Sequence, residues 1–162
     1  MTHRIIGITG IVIALFNIAN VANSTWYFLG MAHFPVPAWL AFNACAPSVA
    51  LYLAGYFSRR RWIMTASLPF LLYFGTGGMF VFGWSGTSVY AQIGHVAMTL
   101  ASIWIVATVV TERKFRMPAA GFAAGLVLFF ALLPVQHRYV MSHPDLIKKL
   151  GDSTFENFTG GK

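Results

Sequence analysis

The sequence predicts an all-α, polytopic membrane helix bundle of about five transmembrane helices, with the N-terminus cytoplasmic and the C-terminus extracytoplasmic. Three observations carry that expectation. First, the 162 residues are 57% hydrophobic and 9% charged, where a soluble domain carries about 25% charged residues. A soluble core of this size has no room for so much apolar side chain, and so few charges would not keep the remainder in water. Second, the charges are segregated. Asp, Glu, Lys and Arg are absent from residues 5–58, 62–111 and 117–136. A crossing takes about 20 apolar residues, so the first two stretches each hold two crossings and a loop, and the third holds one. Third, seven of the eleven basic residues sit at three places: Arg4, then Arg59, Arg60 and Arg61, then Arg113, Lys114 and Arg116. Short cytoplasmic loops collect Lys and Arg, and the opposite loops near 30–37 and 83–88 contain neither.

The spans follow in order as helices over about 5–29, 38–57, 62–82, 89–110 and 117–136. Pro35 and Pro37 mark the first outer turn; Gly83, Ser85 and Gly86 mark the second. Trp26, Tyr27, Trp39, Trp84 and Tyr90 suit the outer interface, Tyr56 and Trp62 the inner one. Pro47, Pro69 and Pro134 fall inside helices, where kinks are tolerated if neighbours satisfy the freed carbonyls. Asn20 spoils the −3 position of a cut after Ala22, so the first helix reads as retained rather than as a secretion signal. In the fifth span Gly121 and Gly125, flanked by Ala120 and Ala124, have the spacing of close helix contact, within the bundle or in a dimer. The bundle is expected to occupy residues 1–142. Residues 143–162 form an extracytoplasmic polar tail, with a short amphipathic helix over 144–150 stopped by Gly151. Asn157-Phe-Thr159 matches a glycosylation sequon.

Composition excludes several kinds of chemistry. Cys45 is the only cysteine, so neither an internal disulfide nor a four-cysteine iron–sulfur site is available. The four acids, Glu112, Asp145, Asp152 and Glu156, lie at helix ends or in the tail. Carboxylate proton relays, carboxylate-bridged metals and a Ser-His-Asp triad at membrane depth are therefore excluded. Gly75, Gly77 and Gly78 lack the Lys-Ser/Thr of a phosphate loop and read as packing glycines. The basic clusters read as topology signals and lipid-headgroup contacts, not as a nucleic-acid surface.

Neutral polarity remains, and it is ordered. Gln92, His95, Thr99 and Ser102 recur at steps of three, four and three on the fourth span. At 100° per residue they occupy about 80° of arc. Asn17, Asn20, Ser24 and Tyr27 repeat the same rhythm on the first span, with Asn23 at the edge of the arc. Facing lipid would be costly, so both stripes are expected to point inward and to meet in the outer half of the membrane, joined there by Asn43 and Thr76. Such stripes either zip the two helices together or line an outward-facing polar cavity between them. His33, His95, His137 and His143 all map to the outer half, and Met31 and Met141 lie two residues before His33 and His143. Imidazole with thioether suits copper, and two imidazoles suit the iron of haem b. The metal set would be His95, His137 and Met141.

The leading expectation is a small integral membrane protein, multi-pass in the plasma or inner membrane. It binds a small ligand, or a metal or haem-type cofactor, in transport or sensing. The ligand residues are Asn17, Asn20, Ser24, Tyr27, Gln92, His95 and Thr99. Its partners are the lipid bilayer, that ligand, and a second copy or a membrane complex; nucleic acid is not among them. The alternative is a non-catalytic accessory or assembly subunit docking through the small-residue face of the fifth span and the tail. A third reading, a membrane enzyme using a histidine base on a lipid or quinone, comes last, since no catalytic constellation is apparent.

Overall fold

A computed structural model describes residues 3–81, 83–84 and 88–149, all in helices and short connections with no strand among them. Part of the second outer turn (Ser85 and Gly86), Gly151 and the sequon lie outside the described residues. The elements are α1 (His3–Thr25), continued by a wider π-helical stretch (Trp26–Met31), α2 (Val36–Phe42), α3 (Cys45–Phe57), α4 (Arg61–Ala66), α5 (Leu68–Phe70), a second π-helical stretch (Leu71–Gly77), α6 (Gly78–Val81), α7 (Ser88–Glu112), α8 (Arg116–Met141) and α9 (Pro144–Lys149). Four helical runs are long and apolar enough to cross a membrane: Ile5–Met31, Arg61–Phe80, Val89–Glu112 and Arg116–Met141. Taken as one span, the bent pair α2 and α3 makes five.

The second span departs from the single helix expected over 38–57. It bends by 83° between α2 and α3. Pro47 has no N–H for the carbonyl of Asn43, its i−4 partner, and its ring would crowd that carbonyl in a continuous helix. Asn43 instead leaves the helical region (φ −116, ψ 51), and its carbonyl accepts a tighter bond from the Ala46 amide at 2.9 Å. The break frees the Ala41 carbonyl, which accepts from Gln136 Nε2 on α8 at 2.9 Å. Asn43 Nδ2 donates to Ser24 Oγ at 3.1 Å. Two polar side chains from other helices thus hold the bend.

The third span is likewise interrupted. Pro69 withholds a donor from the turn before it, and Ser67 closes α4 by donating from its amide and hydroxyl to the Met64 carbonyl, at 3.2 and 2.7 Å. The chain then widens through Leu71–Gly77 before α6. Pro134, by contrast, is absorbed within α8.

Packing places α7 centrally, with α1 on one side and the π-helical stretch of the third span on the other, while α8 lies along α4 and α5. Tyr52, Met64, Leu71, Met98 and Ile105 are fully buried at the centre. Glycine permits two of these contacts. A methyl at Gly121 would collide with the Trp62 carbonyl and one at Gly125 with the Ala66 carbonyl, so the small-residue face of α8 is used inside the bundle, against α4. Trp104 lies over Gly10 and donates from Nε1 to the Ile6 carbonyl at 2.9 Å, tying α7 to α1. At one end, Arg61 and Glu112 form an ion pair at 2.6 Å. Large apolar side chains cover the outside, among them Val12, Leu15, Ile103, Val127 and Phe130. That exterior is suited to hydrocarbon, where every backbone polar group must be satisfied internally.

Candidate functional site

The site is built on α7 at its contact with the third span. Gln92 and His95 are one turn apart and both buried. Gln92 Nε2 donates to the Met79 carbonyl at 3.3 Å, which assigns its other amide atom as the oxygen. That oxygen lies 3.1 Å from His95 Nδ1, so Nδ1 carries the proton and donates to it. One turn further, Thr99 Oγ1 donates to the His95 carbonyl at 2.9 Å, and Thr76 Oγ1, 3.1 Å away, supplies the proton of the bond between the two hydroxyls.

Two glycines of the third span let its backbone come this close. A Cβ at Gly75 would stand 2.7 Å from Met98 Cβ, and one at Gly78 would stand 2.7 Å from Cε1 and 2.8 Å from Nε2 of the His95 ring. The packing role expected for these glycines is therefore specific: Gly78 is the floor under the imidazole. The result is a short polar column of Gln92, His95, Thr99 and Thr76, closed on one side by a widened helical turn.

The asparagine stripe lies elsewhere. Asn17 is fully buried and donates from Nδ2 to the Ile13 carbonyl at 2.9 Å and across the interface to the Ala97 carbonyl at 3.1 Å. Its Oδ1 is buried and has no hydrogen-bond partner among the described residues. Asn20 fills the space left by Gly94. On α7 the positions facing α1 are Gly94, Ala97 and Trp104, whereas Gln92, His95 and Thr99 face the third span. At 100° per residue the two faces are nearly opposite. Asn17 and Asn20 on one stripe and Gln92, His95 and Thr99 on the other point inward but do not meet, and Asn23, at the edge of the first stripe, is exposed. Ser24 is occupied by Asn43 and by the Val21 carbonyl, and Tyr27 is exposed with its ring edge-on to Phe28. Of the expected ligand residues, the structure brings together Gln92, His95 and Thr99, sets Thr76 beside them but Asn43 on Ser24, adds the Met79 carbonyl, and separates Asn17, Asn20, Ser24 and Tyr27 from them.

The residues do not fit a haem or copper centre. His95 Nδ1 is held by Gln92, and Gly78 packs closely against the ring at Cε1, Nε2 and Cδ2. His137 and Met141 are exposed on α8. No group of three His, Cys, Asp or Glu able to hold a metal occurs among the described residues. The second Met-x-His pair makes no shared site either: His143 stacks on Tyr139 at 4.2 Å, with Nδ1 2.8 Å from the Tyr139 carbonyl oxygen. What spacing could not reveal was Met79, which enters through its backbone carbonyl; a carbonyl has no side-chain signature.

No protein-family model, no curated protein and no solved structure shows a significant match to this chain.

Proposed function

We propose that this is a multi-pass integral membrane protein of the plasma or inner membrane, N-terminus inside, that binds a small hydrogen-bonding ligand beside Gln92 and His95 in transport or sensing. The observation that carries the proposal is the buried Gln92–His95 pair, set in an otherwise apolar bundle against a π-helical turn floored by Gly78. Burying two such groups is expensive, and intramembrane ionisable side chains mark ligand or ion pathways. Widened π turns likewise occur frequently at functional sites, because they re-aim backbone and side chains at small cost. Gln92 fixes the imidazole through Nδ1, so the ring presents an oriented polar edge to a ligand. Thr76 and Thr99 extend the polar surface by one turn.

The accessory-subunit alternative loses one of its two docking features, since the small-residue face of α8 is filled by Trp62–Ala66 of the same chain. The test is native mass spectrometry and absorption spectroscopy of the protein purified from its own membranes, wild type beside His95→Ala. A small molecule retained by the wild type and lost from a folded His95→Ala supports the site. Identical contents in the two would remove it, and a stoichiometric partner protein in place of a ligand would favour the accessory role.

A further inference from the structure

The Arg61–Glu112 ion pair joins two connections that are 51 residues apart in sequence, the one after α3 and the one between α7 and α8. Arg61 reaches Glu112 through Nε, 3.0 Å from each carboxylate oxygen, and through Nη2 at 2.6 Å, and Glu112 is the one acid of this end among the described residues. Five further cations then share the same end of the bundle: Arg59, Arg60, Arg113, Lys114 and Arg116. All five are exposed, and none has a carboxylate partner among the described residues. Exposed aromatic rings flank them, Phe57 at the end of α3, Trp62 on α4 and Phe115 before α8.

The backbone adds a second observation. Arg59 and Arg113 both adopt left-handed conformations, with φ of 56 and 54. After α3 the Arg59 amide bonds the Tyr56 carbonyl and the Arg60 amide bonds the Gly55 carbonyl, the paired closure in which the left-handed position ordinarily carries Gly. Arginine there is conformationally unfavourable. Its presence at both helix ends is accounted for if the cations themselves are used.

We propose that this end of the bundle binds an anionic phospholipid, with its phosphate between Arg59, Arg60 and Arg113 and its acyl chains against Phe57, Trp62 and Phe115. The proposal rests on the membrane reading but not on the Gln92–His95 site or on which side of the membrane this end lies. Guanidinium groups match phosphate oxygens through paired N–H donors, and aromatic rings settle at the headgroup boundary. Cations that served only to orient the chain in the membrane would need no such convergence.

The test is native mass spectrometry of the full-length protein in mild detergent, titrated separately with dioleoyl phosphatidylglycerol, dioleoyl phosphatidylcholine and soluble glycerol phosphate. The wild type should retain phosphatidylglycerol at least about tenfold more strongly than phosphatidylcholine, from the summed attraction of several cations. Arg59→Gln/Arg60→Gln/Arg113→Gln, which spares the Arg61–Glu112 pair, should lose that preference. Arg138→Gln/Lys148→Gln, at the far end of α8 and beyond, should keep it. Equal retention of the two lipids by the wild type overturns the proposal without any variant. So does equal loss in the two variants, or glycerol phosphate displacing the lipid completely. Failure to bind either lipid, with solubility in the absence of detergent, would overturn the membrane reading as well.

Discussion

At the scale of single residues, glycine decides which surfaces touch. A methyl at Gly121 meets the Trp62 carbonyl, which is backbone and has nowhere to go, whereas a methyl at Gly7 meets nothing within 4 Å. Gly121→Ala should therefore lower stability by about 1–3 kcal/mol, the cost of overpacking, while Gly7→Ala should be neutral or gain up to about 1 kcal/mol of helix propensity. Thermal unfolding in one detergent checks the pair, and equal effects would contradict the packing described here. Gly78→Ala should disturb His95 with little effect on overall helicity, because the added carbon arrives 2.7 Å from Cε1 of the ring. The histidine ring resonances in a nitrogen-15 spectrum report that displacement directly. Arg59→Gly should stabilise the fold by about 1 kcal/mol, since glycine adopts the left-handed conformation without the penalty of a Cβ.

At the scale of elements, the break in the second span is the feature that composition alone does not show. Pro47 makes a continuous helix costly, but Pro134 sits inside α8 without ending it. The difference lies in what receives the freed groups. At the α2–α3 bend, Gln136 caps the Ala41 carbonyl and Ser24 accepts from Asn43. Gln136→Leu would leave that carbonyl unpartnered in an apolar setting, which costs about 1–3 kcal/mol. It should also accelerate hydrogen exchange in α2 before it affects α7. Exchange rising uniformly across all helices would argue against a local role. The first, fourth and fifth spans were legible because their apolar runs are long and uninterrupted. The second and third were legible as spans but not in their internal form, which depends on contacts from other helices.

At the scale of the whole molecule, five crossings would place the α3–α4 and α7–α8 connections on one side and the α1–α2 and α8–α9 connections on the other, the bent pair α2–α3 counting as one span. In a Cys45→Ala background, Ser58→Cys and Lys114→Cys should react with an impermeant maleimide from one side, and His33→Cys and His143→Cys from the opposite side. If α2 and α3 instead re-entered on the side they left, Ser58 would label with His33. The Arg61–Glu112 pair stitches the first of these ends. Its side chains are 31% and 28% exposed, so Glu112→Gln should cost no more than about 1 kcal/mol, and less at high salt.

Much of the architecture is written in local counts. The scarcity of charge, its confinement to a few points and the length of the apolar runs make legible an all-helical chain with four or five helical runs of membrane-crossing length, because each depends only on neighbouring residues. The inward direction of both polar stripes is legible in the same way, since a helix cannot show asparagine to hydrocarbon cheaply. Which helix each stripe meets is a different quantity, set by the rotation of every helix about its own axis. Here Asn20 against Gly94 and Asn17 on the Ala97 carbonyl turn one face of α7 toward α1. Gly75 and Gly78 draw the opposite face, with Gln92 and His95, onto the third span. Periodicity carries no information about that rotation; close contacts between residues far apart in sequence determine it, and only the tertiary structure holds them.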